Sequence, residues 1–71
     1  MTKIGKLIRK LRRESGLSQE ELAFQIGARQ SAVSHWENGA HEPNTQNLLA
    51  MAKPLGVEPM RLIDAIAKKR I

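Results

Sequence analysis

Residues 17–39, LSQEELAFQIGARQSAVSHWENG, decide how this chain folds. They read as two short helices joined by a tight turn. Ser18, with Glu21 three residues later, has the pattern of a capping box, in which a hydroxyl and a carboxylate accept hydrogen bonds from backbone N–H groups left over at a helix start. Leu22, Ala23 and Ile26 then recur on one face at the spacing of an amphipathic helix, and Gly27 stops the segment. On a wheel of 3.6 residues per turn, the second segment groups Val33, Trp36 and Glu37 on one side and Ser31, Ser34, His35 and Asn38 on the other. Gly39 closes it as a glycine just past a helix end.

The polar arc of the second segment is uncharged. Lys and Glu have better helix propensity than Ser, His or Asn and ordinarily fill a solvated face. Here poor helix formers stand where folding does not ask for them. Their short donor and acceptor groups are the kind that hydrogen-bond to base edges in a DNA groove. A surface helix that has drifted to polar residues is the other reading, and the arc alone leaves both open.

Composition narrows the choice. A chain of 71 residues is expected to be a single domain, 1–71, and with one Phe, one Trp and no Tyr its core must be aliphatic. A core this small is marginal by itself. With no Cys and only His35 and His41, disulfides and structural zinc cannot reinforce it, so association with a second copy is expected. The formal charge of +5, from 12 Lys and Arg against 7 Asp and Glu, suits an anionic partner, nucleic acid before membrane. No apolar run approaches the ~20 residues of a membrane span. Lys3, Lys6, Arg9, Lys10, Arg12 and Arg13 interrupt any apolar leader, so the expected location is the cytoplasm. Catalysis is not expected either: there is no Cys, no paired-carboxylate motif and no Gly-rich phosphate loop, and no cofactor or metal is called for.

Around the central pair, residues 2–15 form a helix with Thr2 as its cap and Ile4, Leu7, Ile8 and Leu11 as its apolar stripe, ended by Gly16. Six of the 12 basic residues lie here, and a solvated face accounts for Lys3 and Lys10. Arg12 is different, because it flanks the apolar stripe. Glu37 flanks the apolar side of its own helix in the same way, and a buried carboxylate needs a partner; pairing Arg12 with Glu37 satisfies both. After the loop AHEPN, Asn44 caps a helix whose Leu48, Leu49, Met51, Ala52 and Leu55 give a surface wide enough to be packed on two sides. Pro54 is expected to break, kink or tighten its last turn. A final helix, about 58–69, starts with Pro59 near its first turn; Leu62 and Ile66 face the core, while Met60, Ile63 and Ala67 widen the apolar arc into a dimer seam. Lys68, Lys69 and Arg70 form a basic tail.

Five short helices without a strand signal make an all-α, compact five-helix domain. The pattern IGKLIRKLRRESGLSQEELAFQIGARQSAVSHWENGAHEPNTQNLLAMAKPLGV resembles the helix-turn-helix family of the phage Cro proteins and phage repressors, with LSQEELA joined to VSHWENG as its specific signature. The resemblance covers nearly the whole chain and implies a lambda-repressor-like DNA-binding fold, with a helix-turn-helix at about 18–38 whose second helix lies in the major groove. It implies a phosphate contact for Gln19 at a helix start and base-facing roles for Gln30, Ser31, Ser34 and His35. It further implies that Gln19 braces Gln30 on an adenine, that Asn38 holds a second phosphate, and that Arg12 and Glu37 form the family's internal ion pair.

The sequence also departs from that pattern. Arg29 stands where Ser or Thr often caps the recognition helix, which weakens the cap but sets a cation beside the DNA backbone. Glu42 occupies a loop where basic residues are common, and Phe24 points away from Leu22 and Ile26, towards solvent. The reading that follows is a nucleoid-associated, dimeric regulator of transcription, a repressor of its own or a neighbouring operon, acting on double-stranded DNA with two half-sites. Its settings are a phage Cro-like repressor, a restriction-modification controller or an antitoxin. The competing reading is a protein-interaction module that binds a toxin or RNA polymerase; Phe24 and the final helix favour it, the polar arc and the charge do not.

Overall fold

The computed structural model describes residues 3–67, which form five α-helices: α1 (Lys3–Glu14), α2 (Gln19–Ile26), α3 (Gln30–Asn38), α4 (Thr45–Leu55) and α5 (Pro59–Ala67). Thr2, Lys68, Lys69 and Arg70 lie outside the described residues. The starts of α2 and α4 and the turn after α2 have local causes. At α2 the capping box is complete: the Ser18 hydroxyl accepts from the Glu21 backbone N–H at 3.0 Å, and the Glu21 carboxylate accepts from the Ser18 N–H at 2.8 Å. Asn44 caps α4 by accepting from the Asn47 N–H at 2.8 Å. Between α2 and α3 the chain turns at Gly27, whose φ of +70° lies in the left-handed region that side chains disfavour. The next amide, of Ala28, reaches back to the Ala23 carbonyl at 2.9 Å and seals the end of α2.

The helices pack in a closed circuit: α1 on α3 and α5, α2 on α3 and α4, α4 on α5. Their apolar stripes meet in one core of Ile4, Ile8 and Leu11 from α1, Leu22 and Ala23 from α2, Val33 and Trp36 from α3, four residues of α4 and Leu62 with Ala65 from α5. At about 25 cal/mol per Å² of apolar surface removed from water, this core is what holds five short helices that would be marginal alone.

One expectation about α4 needs correction. Leu49 is not packed; it is 48% exposed, because α2 and α5 cover the Leu48, Met51, Ala52 and Leu55 side and leave the flank open. Of the outcomes open to Pro54 the structure shows the tightened turn: the helix runs through to Leu55, and the Gly56 amide donates three residues back, to the Lys53 carbonyl. The proline lies one residue from the end, and the amides of Gly56 and Val57 still cap the Lys53 and Ala52 carbonyls at 3.0 Å each. No described helix is long and apolar enough to cross a membrane.

Candidate nucleic-acid interface

The inward face of α3 carries a charge, and its surroundings are built around it. Glu37 has no exposed surface. Arg12 of α1 donates to it through Nε at 2.5 Å and Nη2 at 3.0 Å, and sends Nη1 to the Leu17 carbonyl at 2.8 Å. Such a fork-on-carboxylate pair is the geometry in which a guanidinium compensates a buried anion best. Gln19 Nε2 adds a bond at 3.1 Å and Arg9 Nε another at 3.3 Å, both to Oε1. Burial pushes the Glu37 carboxyl up, but these hydrogen bonds and the Arg12 charge outweigh it, so the group is held below the ordinary carboxylate range. The Glu37 hydrogen bond in turn raises Arg12 despite its burial. The cluster thereby fastens α1 and the start of α2 to α3.

Two of these partners were not legible beforehand. Gln19 turns its amide inward to Glu37 in the free protein; the bracing of Gln30 on an adenine that the resemblance implies concerns the DNA-bound state. Arg9 lies three residues before Arg12, on the same flank of α1, and that spacing was the available signal.

The outward face of α3 is the reverse. Arg29, Gln30, Ser31 and His35 are exposed and Ser34 is partly so. None of these side chains makes a hydrogen bond to a described residue; the His35 ring only meets that of His41 edge-on, 5.3 Å between centroids. Arg29 stands at the cap position in extended backbone with no side-chain cap bond, as its identity leads one to expect, so its guanidinium is available. Asn38, at the last turn, accepts from the Ala40 N–H at 3.0 Å through Oδ1, which leaves its amide donors for another partner. The five outward residues, with Asn38, present donors and acceptors along one helix edge. That is a surface for polar recognition rather than for bond-making chemistry.

On α5, Met60 is 59% exposed, Ile63 is partly buried, and Ile63 and Ile66 line a shallow groove with Pro43 and Leu48. The side chain of Ala67, the third expected seam residue, lies outside what the structure describes. Phe24 is 85% exposed on α2.

Comparison with known proteins agrees with this geometry. The repressor C2 of Salmonella phage P22 is 37% identical over 60 residues, covering 84% of this chain and 28% of that protein. Its structure in complex with a synthetic operator superposes with a TM-score of 0.79 at 35% identity, over 87% of this chain and 94% of that one. The restriction-modification controller protein C.AhdI of Aeromonas hydrophila gives a TM-score of 0.80 at 41% identity, over 86% and 92% of the two chains. A multi-protein-binding factor 1 of Yarrowia lipolytica is 42% identical over 55 residues, 78% of this chain and 36% of its own. The chain thus spans about a third of these two longer relatives, the phage repressor and the yeast factor. The family model described as helix-turn-helix matches residues 8–62, so the chain belongs to the helix-turn-helix family.

Proposed function

We propose that this protein is a sequence-specific, double-stranded-DNA-binding regulator of transcription that lays α3 in the major groove. The observation that carries this reading is the contrast across α3: the one charge on its buried face, Glu37, is fully matched by hydrogen bonds, whereas its exposed arc keeps a row of uncharged donors and acceptors unused. Folding gives no reason for that arc; base edges do. In this reading Gln30, Ser31, Ser34 and His35 meet bases, Gln30 offering adenine both a donor and an acceptor. Arg29 and Asn38 hold phosphates at the two ends of the helix, with Gln19 at the positive end of α2. The net charge of +5 supplies the attraction common to all sequences.

Met60, Ile63 and Ala67 form a two-fold seam through which two copies place their recognition helices on successive major-groove faces, and a dimer so arranged represses its own or a neighbouring operon. The work is binding rather than catalysis, on DNA in the cytoplasm, at the nucleoid. A protein-interaction module has only the exposed Phe24 and the α5 edge in its favour, and it leaves the α3 arc without a use. Selecting bound duplexes from a random pool tests the reading. It predicts an enriched site of two related half-sites with centres roughly 34 Å apart. Recovery of no enriched sequence would refute it.

A further inference from the structure

Two guanidinium groups reach the single negative charge of Glu37, and they are placed differently. Arg12 is 8% exposed and turns Nε and Nη2 to Glu37 and Nη1 to the Leu17 carbonyl. It has nothing left to offer a ligand. Arg9 gives Glu37 only Nε, its side chain is 35% exposed, and its two terminal nitrogens meet no described residue. The Arg12 charge already neutralises the carboxylate, so Arg9 brings a positive charge that nothing in the cluster balances.

Its neighbours point to an anion. Gln19, the first residue of α2, donates to the same Oε1 that Arg9 does, which sets Arg9 beside that helix start. Lys6, Arg9, Lys10 and Arg13 recur at i, i+3, i+4 and i+7 and line one shallow groove along α1, with Glu14 as the only carboxylate on it. A guanidinium fixed at Nε and open at both Nη atoms matches the geometry of a phosphate, which accepts two parallel N–H bonds. Holding it in place beforehand reduces the side-chain freedom that binding would otherwise remove.

We propose that Arg9 is a DNA-backbone anchor: Glu37, from the inward face of α3, holds its guanidinium at Nε, and its two terminal nitrogens take one phosphate beside Gln19. Lys6, Lys10 and Arg13 extend the same positive track along α1. The inference rests on the proposed DNA-binding function. It adds a coupling, since one carboxylate then positions both the helix that reads bases and a residue that grips the backbone.

The test is the salt dependence of binding to a labelled random-sequence duplex, for the parent and for Arg9→Gln, Arg9→Lys and Lys53→Gln, with thermal melts alongside. Arg12 still pairs with Glu37 in the Arg9 variants, so they should fold. Arg9→Gln should bind several-fold more weakly at low salt, with a log–log slope shallower by about 0.9, the loss of one phosphate contact. Arg9→Lys should keep the slope and recover part of the affinity, because a point charge replaces the fork. Lys53→Gln, which removes one exposed charge from α4, should keep the parent slope. A parent-like slope in Arg9→Gln, or an equal loss in Lys53→Gln, overturns the anchor while leaving the function standing. A parent protein whose binding does not respond to salt overturns both.

Discussion

On its inward side α3 carries one charged side chain, Glu37, which four hydrogen bonds from Arg9, Arg12 and Gln19 satisfy; on its outward side Arg29, Gln30, Ser31 and His35 share not one side-chain hydrogen bond with a described residue. Both faces belong to the nine residues of α3 and its cap, Arg29. Burial explains the first face, because an unpaired charge away from water costs several kcal/mol and must be matched. Nothing in folding explains the second. A helix whose inner face is fully committed to structure and whose outer face is free is a rigid part that presents chemistry to something else, and the Glu37 cluster sets its angle against α1 and α2.

The sharpest way to break this contrast is to remove the main partner on the inner face. Arg12→Ala leaves a buried carboxylate with only Arg9 and Gln19, and should cost about 3 to 5 kcal/mol. In a domain of this size that is a large fraction of the total stability, and urea unfolding should show it. A midpoint within experimental error of the parent would mean that the cluster does not hold α3.

A smaller effect on the same face comes from acid. The Glu37 carboxyl is lowered on folding, so the unfolded chain binds the proton more tightly and stability falls as pH falls. The contribution is complete above the ordinary carboxylate value of about 4.3 and is lost as pH drops through the lowered folded value. Glu21, held down by the Ser18 backbone N–H and hydroxyl, acts in the same direction at the surface. Urea midpoints measured from pH 6 to below pH 4 should therefore decline at the acid end. A flat profile would contradict the pairing.

Much of this was legible in the sequence because it depends on local chemistry. The capping box at Ser18 and Glu21, the cap at Asn44 and the stop at Gly27 need only neighbouring residues. The Arg12–Glu37 pair was visible because both residues flank apolar stripes, where a charge has to find a partner. What failed was choice among neighbours. A helical wheel shows which side of α2 Gln19 occupies, but not that its amide reaches the buried Glu37 carboxylate. Periodicity gives α4 a wide apolar surface without showing that the α2 and α5 contacts leave the Leu49 flank open. That Pro54 would break, kink or tighten the last turn follows from its missing N–H, but which of the three occurs depends on the Gly56 and Val57 amides that close the helix end.

The smallest effect on stability and the most direct on function belongs to Gln30. Gln30→Ala removes an exposed side chain with no hydrogen-bond partner among the described residues, so the melting temperature should stay at the parent value. Binding should change in kind: affinity for the selected operator should fall by about 1 to 3 kcal/mol, and preference should flatten at one base pair in each half-site. Arg29→Ala should instead weaken all sequences alike. Measuring Gln30→Ala against the operator and each of its single-base changes decides the matter. Loss of discrimination at one position per half-site is the result expected; an even loss across the panel, with base preference intact, would mean that the outward face of α3 does not read DNA.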